Sequence, residues 1–453
     1  MREWSSWLEH LAKIDVLNAY DFRPVVDGKA LSKALGLKPG PWMKEALDVV
    51  MAWQLRQTTP PTVGGAIEEV RNKHGELTAV LIRHFLRLTI RPLFAKKQTR
   101  TRNVTAQGRK VMSQPVLPGR FVGAEEDEEA SRPWKKDAFV VDILRWIVTS
   151  LDSKLVAASW PLLLPPILAL LDDMEVKYKA FGCTLLSNLL ATTPPALLAR
   201  TGLGPVFDDA VTPCLSYLPT LTPEAESILL LDAAYPALYT LAFVRFSASR
   251  TESVQAHPQH VPSPYAQQLS HILHTQLLPS IDRMLESHPA VIVSLLAHLS
   301  TLIAHLRTDT IAHLGDIVSM LTEILSMPFI AAYPPLPLAA ARTLQVLLAN
   351  AWPRIWRWRA DVLGGLCAAW SRMLEESEER GGSGTRDTAG TVSEQTRACK
   401  KEMRVVVNML VAAVDAAVVD GTVDGQHVNM RAELEMMSQA DPGLQELLHV
   451  QEA

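Results

Sequence analysis

The spacings His257-x-x-His260 and His271-x-x-His274 can set two imidazoles on one metal ion. A zinc site wants four converging nitrogen or sulfur ligands, however. The first pair lies in a Pro-rich stretch and the second has no Cys or acidic companion beside it, so both read as ordinary surface histidines. His298, His305 and His313 recur on successive turns of apolar segments, where half-buried imidazoles serve as rim or packing residues. No phosphate-cradling loop of the Walker type, no His-Glu-x-x-His helix and no Gly-x-Ser-x-Gly elbow occurs. The residues therefore predict no catalytic site, no metal and no cofactor.

Chemistry of another kind is available near the carboxyl-terminal third. Trp352, Trp356, Trp358 and Trp370 are interleaved with Arg354, Arg357 and Arg359. The cluster fits a core, and it also fits an aromatic and guanidinium surface of the kind that anchors protein interfaces. On the second reading Trp352, Arg354, Trp356, Arg357 and Trp358 would meet a partner. Lys29, Lys33, Lys38 and Lys44 can meet phosphate or simply keep a small helical module soluble. Asp172 and Asp173, followed by Lys177 and Lys179, are expected to have a structural role, because carboxylates near a helix start face its dipole favourably.

The elements that position these residues are helices. A chain of 453 residues exceeds the size at which one core keeps growing. Its 48% hydrophobic and only 6% aromatic content, rich in Leu and Ala, is how helix-on-helix packing reads. A formal charge of -4 gives no default attraction to nucleic acid. Cys183, Cys214, Cys367 and Cys399 lie far apart without a Cys-x-x-Cys pair, which predicts neither zinc ribbon nor disulfide scaffold and fits a reducing compartment. Met1 to His10 is charged and aromatic and lacks the pattern of a secretory signal. The greasiest run, Trp160 to Leu171, holds three prolines and reads as too short for a bilayer span of about 20 residues. A soluble protein without membrane contact is expected.

Residues 1–75 read as a small module of short helices, broken at Asp27-Gly28, Lys38 to Pro41 and Thr59 to Pro61. Residues 76–94 read as the first helix of an array: an amphipathic segment from Gly75 to Phe94, with Leu77, Leu81, Phe85 and Leu88 as one side and Pro92 marking its exit. Residues 95–136 lack periodicity, begin basic and turn acidic at Glu125 to Glu129, which predicts a disordered charged loop. From 137 to 450 apolar helical segments alternate with Pro, Gly or Asp clusters, the pattern of an all-α solenoid. Trp160 to Leu190 is its clearest hairpin. Less regular members fall near 205–218, 224–247, 264–286, 289–306, 309–327, 334–350, 354–377 and 396–417. Ser247 to Pro264 and Glu378 to Ser393 read as flexible interruptions.

The hairpin resembles a HEAT repeat, with Asp173, Val176 and Lys177 where that motif wants its turn acid, inward Val and basic residue. A larger resemblance begins near Glu76 and runs almost to the carboxyl terminus. Arg91 to Phe94, Gly108 to Lys110, Pro133 to Lys135, Leu164 to Ile167, Leu171 to Asp173, Arg200 to Leu203, Tyr217 to Pro219, Leu221 to Glu224 and Ala234 to Ala237 are similar to the Tel-interacting protein 2 family. That resemblance implies an armadillo- or HEAT-like α-solenoid and a non-catalytic subunit of the TTT cochaperone. Its partners would be the other TTT subunits, the chaperone machinery and the kinases related to phosphatidylinositol kinases (PIKKs). It places the chain in cytoplasm and nucleus. It also implies more helical repeat before Glu76 than stands here.

A second, smaller resemblance fills roughly residues 1–74. Phe22 to Pro24, Asp27 to Lys29, Leu37 to Met43, Trp53 to Leu55 and Ala66 to Glu69 look like the carboxyl-terminal tail of CCA-adding tRNA nucleotidyltransferases. This implies residual tRNA contact through 1–74, carried by Lys29, Lys33, Lys38 and Lys44. Without the two-metal carboxylates of the catalytic head, such a tail can grip RNA but cannot activate a 3′ hydroxyl. The two resemblances meet at Arg71 to Glu76 with no linker, as expected of a reading frame that merges parts of two genes.

Overall fold

The computed structural model describes residues 23–35, 40, 42–56, 61–94, 133–137, 139–247, 262–380, 386–421 and 428–450. The chain falls into two units, Met1–Pro92 and Leu93–Ala453. Both are all-α among the described residues, where an isolated bridge between Pro219 and Thr222 is the one trace of β pairing.

In the first unit three helices, α1 (Gly28–Leu35), α2 (Trp42–Gln54) and α3 (Val63–His84), share a core of Val26, Leu31, Ala46, Val50, Ala66 and Val70. The starts of α1 and α3 are fixed by side chains that accept the otherwise unpaired first amides. Asp27 Oδ1 accepts from the Ala30 amide at 2.7 Å and Thr62 Oγ1 from the Gly65 amide at 3.2 Å. The backbone of α3 is helical without interruption through the junction 71–76. It continues as a wide π turn, Phe85–Ile90, before the short turn Arg91–Phe94. The inward side is not the one read from the sequence. Leu77 and Leu88 are 59% and 65% exposed, whereas Ile82, Leu86 and Ile90 are wholly buried. Two apolar stripes run along this helix, and periodicity alone does not say which one is covered.

The second unit is a two-layer stack. One layer is α4 (Phe139–Thr149), α6 (Val176–Thr192), α9 (Glu224–Phe246), α12 (Pro289–Leu306), α14 (Pro335–Ile355) and α16 (Arg386–Val419), each packed on the next. The other is α5 (Ser153–Leu171), α8 (Gly204–Val211) after the short α7 (Pro195–Thr201), α10 (Pro264–Ile272) with α11 (Leu278–Met284), α13 (Leu314–Leu325) and α15 (Arg359–Arg380). Successive pairs α5–α6, α8–α9, α11–α12, α13–α14 and α15–α16 are the hairpins of the array. At the far end α17 (Met430–Ala440) and the turn Gln445–Leu448 return onto α15 and α16. Arg359 grips Glu433 through Nε and Nη2 at 3.0 Å each, and Trp370 Nε1 donates to the Gly443 carbonyl at 3.2 Å.

Several boundaries differ from expectation. The first helix of the clearest hairpin starts at Ser153, capped by Asp152 Oδ1 on the Leu155 amide at 2.7 Å, and runs through Pro161, Pro165 and Pro166. The prolines release the carbonyls of Ala157, Pro161 and Leu162, which lie on the less buried side of the helix. At 19 residues and mean hydropathy 1.7, α5 is long and apolar enough to cross a membrane, as are Glu224–Phe246 and Pro289–Leu325. Each has between 44% and 61% of its most apolar stretch buried against other helices of the stack. Of the expected loop 95–136, residues 95–132 lie outside the described ones. Pro133–Lys136 is instead a helical turn whose Trp134 is buried, stacked at 5.2 Å on Phe94 and edge-on at 4.8 Å to Tyr178. Around Gly381 to Gly384 the helices extend to Arg380 and resume at Arg386, so the interruption is shorter than the expected 378–393.

The hairpin turn at Asp172 and Asp173 confirms a structural role for that acid. Asp173 is wholly buried, accepts the Glu175 amide at 2.9 Å, and pairs with Lys135 Nζ at 2.9 Å. Lys179, also buried, donates to the Leu171 carbonyl at 3.0 Å, closing the last turn of α5 from the neighbouring helix. The two helices touch at Gly182, where a Cβ would stand 2.9 Å from the Leu171 nitrogen and 3.1 Å from the Leu170 carbonyl carbon. Gly182→Ala should therefore lose about 1–2 kcal/mol despite the better helix propensity of alanine. Denaturant unfolding followed by tryptophan fluorescence measures this, and an unchanged midpoint would contradict backbone-to-backbone contact.

Candidate partner-binding surface

The aromatic and guanidinium cluster is built by a break in α14. Ala351 leaves helical geometry (φ -114°, ψ 16°), Pro353 follows, and the chain tightens into a 3-10 turn at Trp356–Trp358 before α15 starts at Arg359. Pro353 has no amide to donate and crowds the preceding turn, which accounts for the kink. The break separates side chains that a straight helix would align. Ile355 and Trp370 become fully buried; Trp352, Trp356 and Trp358 are half-buried; Arg354 and Arg357 point outward.

Each aromatic has a definite neighbour. Arg357 lies over the Trp356 ring at 5.3 Å, and the Trp358 ring edge stands 3.4 Å from where a Cβ on Gly315 would be. Trp370 belongs to the core, flanked by Lys400 and Arg404 at 5.2 and 6.0 Å. Arg359 is engaged by Glu433 and by the Trp356 carbonyl. Arg354 and Arg357 form no ion pair among the described residues. Two unpaired guanidiniums on a half-buried aromatic bed can accept carboxylates and apolar side chains of another protein.

In the first unit Lys29 and Lys33 are exposed one turn apart on α1, and Lys44 is exposed in the first turn of α2. Lys38 lies outside the described residues. The base under them is held by Gln54, which donates to the Arg23 carbonyl at 3.2 Å and accepts the Val25 amide at 3.1 Å.

The histidines lie along seams between helices. His298 is buried, bonds Asp232 at 3.0 Å and stacks on Tyr235 at 4.8 Å, joining α12 to α9. Burial works to raise the Asp232 carboxyl, but the His298 and Ser294 hydrogen bonds outweigh it and hold the group below its usual range. His305 Nδ1 meets the Tyr265 hydroxyl at 3.0 Å. His288 meets Glu224 at 2.9 Å. A relay unseen in the sequence joins Ser270 Oγ to His313 Nε2 at 2.8 Å and His313 Nδ1 to His274 Nε2 at 2.9 Å, with Asp316 3.8 Å from His274. The only advance sign was that Ser270 and His274 stand four apart on one helix; their partner is about 40 residues away. His257 and His260 lie outside the described residues, and among the described residues no three His, Cys, Asp or Glu groups are placed to hold a metal ion.

The four thiols are buried or half-buried and none is in a disulfide. A hydrogen bond to Cys214 and burial push Cys183 well up, and burial pushes Cys367 to about 11 and Cys399 to about 12. Protonated thiols of this kind are poor nucleophiles.

Comparison with known proteins gives two kinds of similarity. A model of the Tti2 family matches residues 54–332, beginning upstream of Glu76. The nucleotidyltransferase lcsQ of Purpureocillium lilacinum is 47% identical over 74 residues, which is 16% of this chain and 12% of that protein. The tRNA nucleotidyltransferase cca2 of Schizosaccharomyces pombe is 46% identical over 39 residues, 9% of this chain and 8% of that protein. The chain thus spans 12% or less of the length of these curated relatives. No solved structure matches.

The His313 relay carries a pH signature. Burial, and then the charge of His274, lower His313 from its usual value of about 6.5. The unfolded chain therefore binds this proton more readily than the folded one, so stability falls as pH drops through about 6.5 and levels off below the folded value. His313→Gln should flatten that part of the melting-temperature profile between pH 7.5 and 5; an identical slope in both proteins would exclude the relay as its source.

Proposed function

The chain belongs to the Tti2 family, and from that premise we propose that it acts as a non-catalytic cochaperone subunit of a TTT-type complex. In this reading it supports the maturation and stability of PIKK-family kinases, in cytoplasm and nucleus, and through them telomere maintenance. Its partners are the other TTT subunits, the chaperone machinery and the kinases. The observation that carries the reading is the family match over more than half of the chain, which falls largely on the two-layer helical stack. A stack of this type presents long surfaces to other proteins.

Trp352, Arg354, Trp356, Arg357 and Trp358 are the contact surface we assign within that function. Exposed Arg and half-buried Trp side chains are the types that dominate interface energies. Arg354→Glu combined with Arg357→Glu should weaken association with co-expressed TTT subunits at least tenfold and leave the thermal midpoint unchanged. Quantitative co-purification and a melting curve check both parts; full retention of the subunits by the variant would remove this surface from the interface.

The second reading is residual tRNA contact through 1–74. It is favoured by the short likeness to lcsQ and cca2 and by the exposed Lys29, Lys33 and Lys44. Filter binding separates the two. Retention of tRNA that falls steeply with salt, and falls further in a Lys29→Ala, Lys33→Ala, Lys44→Ala variant, would favour RNA contact; salt-insensitive or absent retention would leave the scaffold reading alone.

A further inference from the structure

The turns that lead from the first helix of each hairpin to the second share one edge of the stack, because the second helices run in the same direction: Glu224 at the start of α9 meets His288 at the start of α12, and Ser300 inside α12 meets Thr343 inside α14. Contacts along that edge join neighbouring hairpins. Lys179 of α6 lies over the Tyr217 ring at 5.4 Å, Glu224 meets His288 at 2.9 Å, and Arg372 of α15 donates to the carbonyls of Ser326 and Met327 in the turn after α13.

This edge carries apolar side chains where loops ordinarily do not. Met174, Leu221 and Phe329 are 67%, 88% and 83% exposed, one in each of three turns. Leu221 follows Thr220, a β-branched residue held at φ +133°, a conformation that costs energy and is kept only where the surroundings impose it.

Carboxylates lie in or next to the turns of this edge. Glu226, Glu286 and Glu323 are exposed and form no ion pair among the described residues. Glu226 lies in the first turn of α9, where the helix dipole favours it. Glu286 follows the end of α11 and Glu323 is in the last turn of α13, where the dipole opposes a carboxylate. Helix stability therefore does not account for these two. The cations nearby are mostly engaged within the fold: Lys135 and Lys177 on Glu175, Lys179 on the Leu171 carbonyl, Arg372 on its two carbonyls. Arg283, in the last turn of α11, is exposed.

We infer that this edge is a docking ridge for a basic amphipathic helix of a partner protein. Its apolar stripe would cover Met174, Leu221 and Phe329, and its Lys or Arg side chains would meet Glu226, Glu286 and Glu323. Hairpins stack about 8–10 Å apart, so the three steps from the Met174 turn to the Phe329 turn span about 25–30 Å. That is the length of about 17–20 helical residues at roughly 1.5 Å each. The ridge is separate from the Trp–Arg turn and does not depend on which complex the chain enters.

Fluorescence anisotropy on the full chain tests it with two labelled 20-residue synthetic helices that share a leucine stripe, one flanked by lysines and one by glutamates. The lysine peptide should bind at least tenfold more tightly. Leu221→Ser with Phe329→Ser should weaken it about tenfold, and Glu226→Lys, Glu286→Lys, Glu323→Lys should reverse the preference, with circular dichroism unchanged. If the triple variant does not fold, the serine pair decides alone. Equal binding of the two peptides, or affinity indifferent to the serine pair, overturns the ridge. So does concentration-dependent self-association abolished by the serine pair, which would assign the edge to a second copy of the chain.

Discussion

The stack exists because its central helices are apolar on more than one side. In α6, Val176, Ala180, Cys183, Leu185, Leu186, Leu189 and Leu190 are all buried, and they extend around most of the helix. One partner helix cannot cover such a surface. Helix α5 covers part of it, α9 covers the rest, and the same need passes from α9 to α12 and onward. Each helix is therefore stable in proportion to its neighbours, which is how a one-dimensional array differs from a single core. Outside these central helices, Trp134 lies between Phe94 and Tyr178, and Glu433 and Gly443 satisfy Arg359 and Trp370.

Polar groups enter this apolar scheme mainly at the turns. Lys135, Asp173, Glu175 and Lys177 form one network, in which Lys177 and then Lys135 hold the Glu175 carboxyl below its usual range. Asp173 has no exposure and relies on Lys135 and the Glu175 amide to offset its desolvation. These contacts tie the end of α5 to the start of α6.

Much of the array was readable before any coordinates, since Pro, Gly and Asp clusters bound segments whose apolar residues recur at helical spacing. Segments such as 289–306 and 224–247 coincide almost residue for residue with α12 and α9. Failures occurred where a local rule was overridden. Pro161, Pro165 and Pro166 look like a helix start, yet the released carbonyls face the less covered side and α5 begins eight residues earlier, at Ser153. The helix ending at Phe94 has two apolar stripes, and only tertiary packing selects Ile82, Leu86 and Ile90. The tryptophan cluster was legible as core or surface but not as both; the kink at Ala351 sends Trp370 inward and leaves Trp356 beside Arg357. Contacts such as Ser270 to His313 join distant segments and leave no periodic mark.

The seam of Asp232, Tyr235 and His298 between α9 and α12 has a further effect. Leucine-rich faces are alike from one turn to the next, so two such helices can slip by one turn, about 5.4 Å, with little change in apolar burial. A carboxylate that must meet one imidazole, and the hydroxyl of Tyr239, one turn beyond Tyr235, that must reach the His298 carbonyl at 3.2 Å, cannot repeat themselves at that displacement. The seam acts as a vernier mark on an otherwise unmarked scale: it adds little cohesion and selects a single alignment, and with it the positions of every surface residue carried by later hairpins.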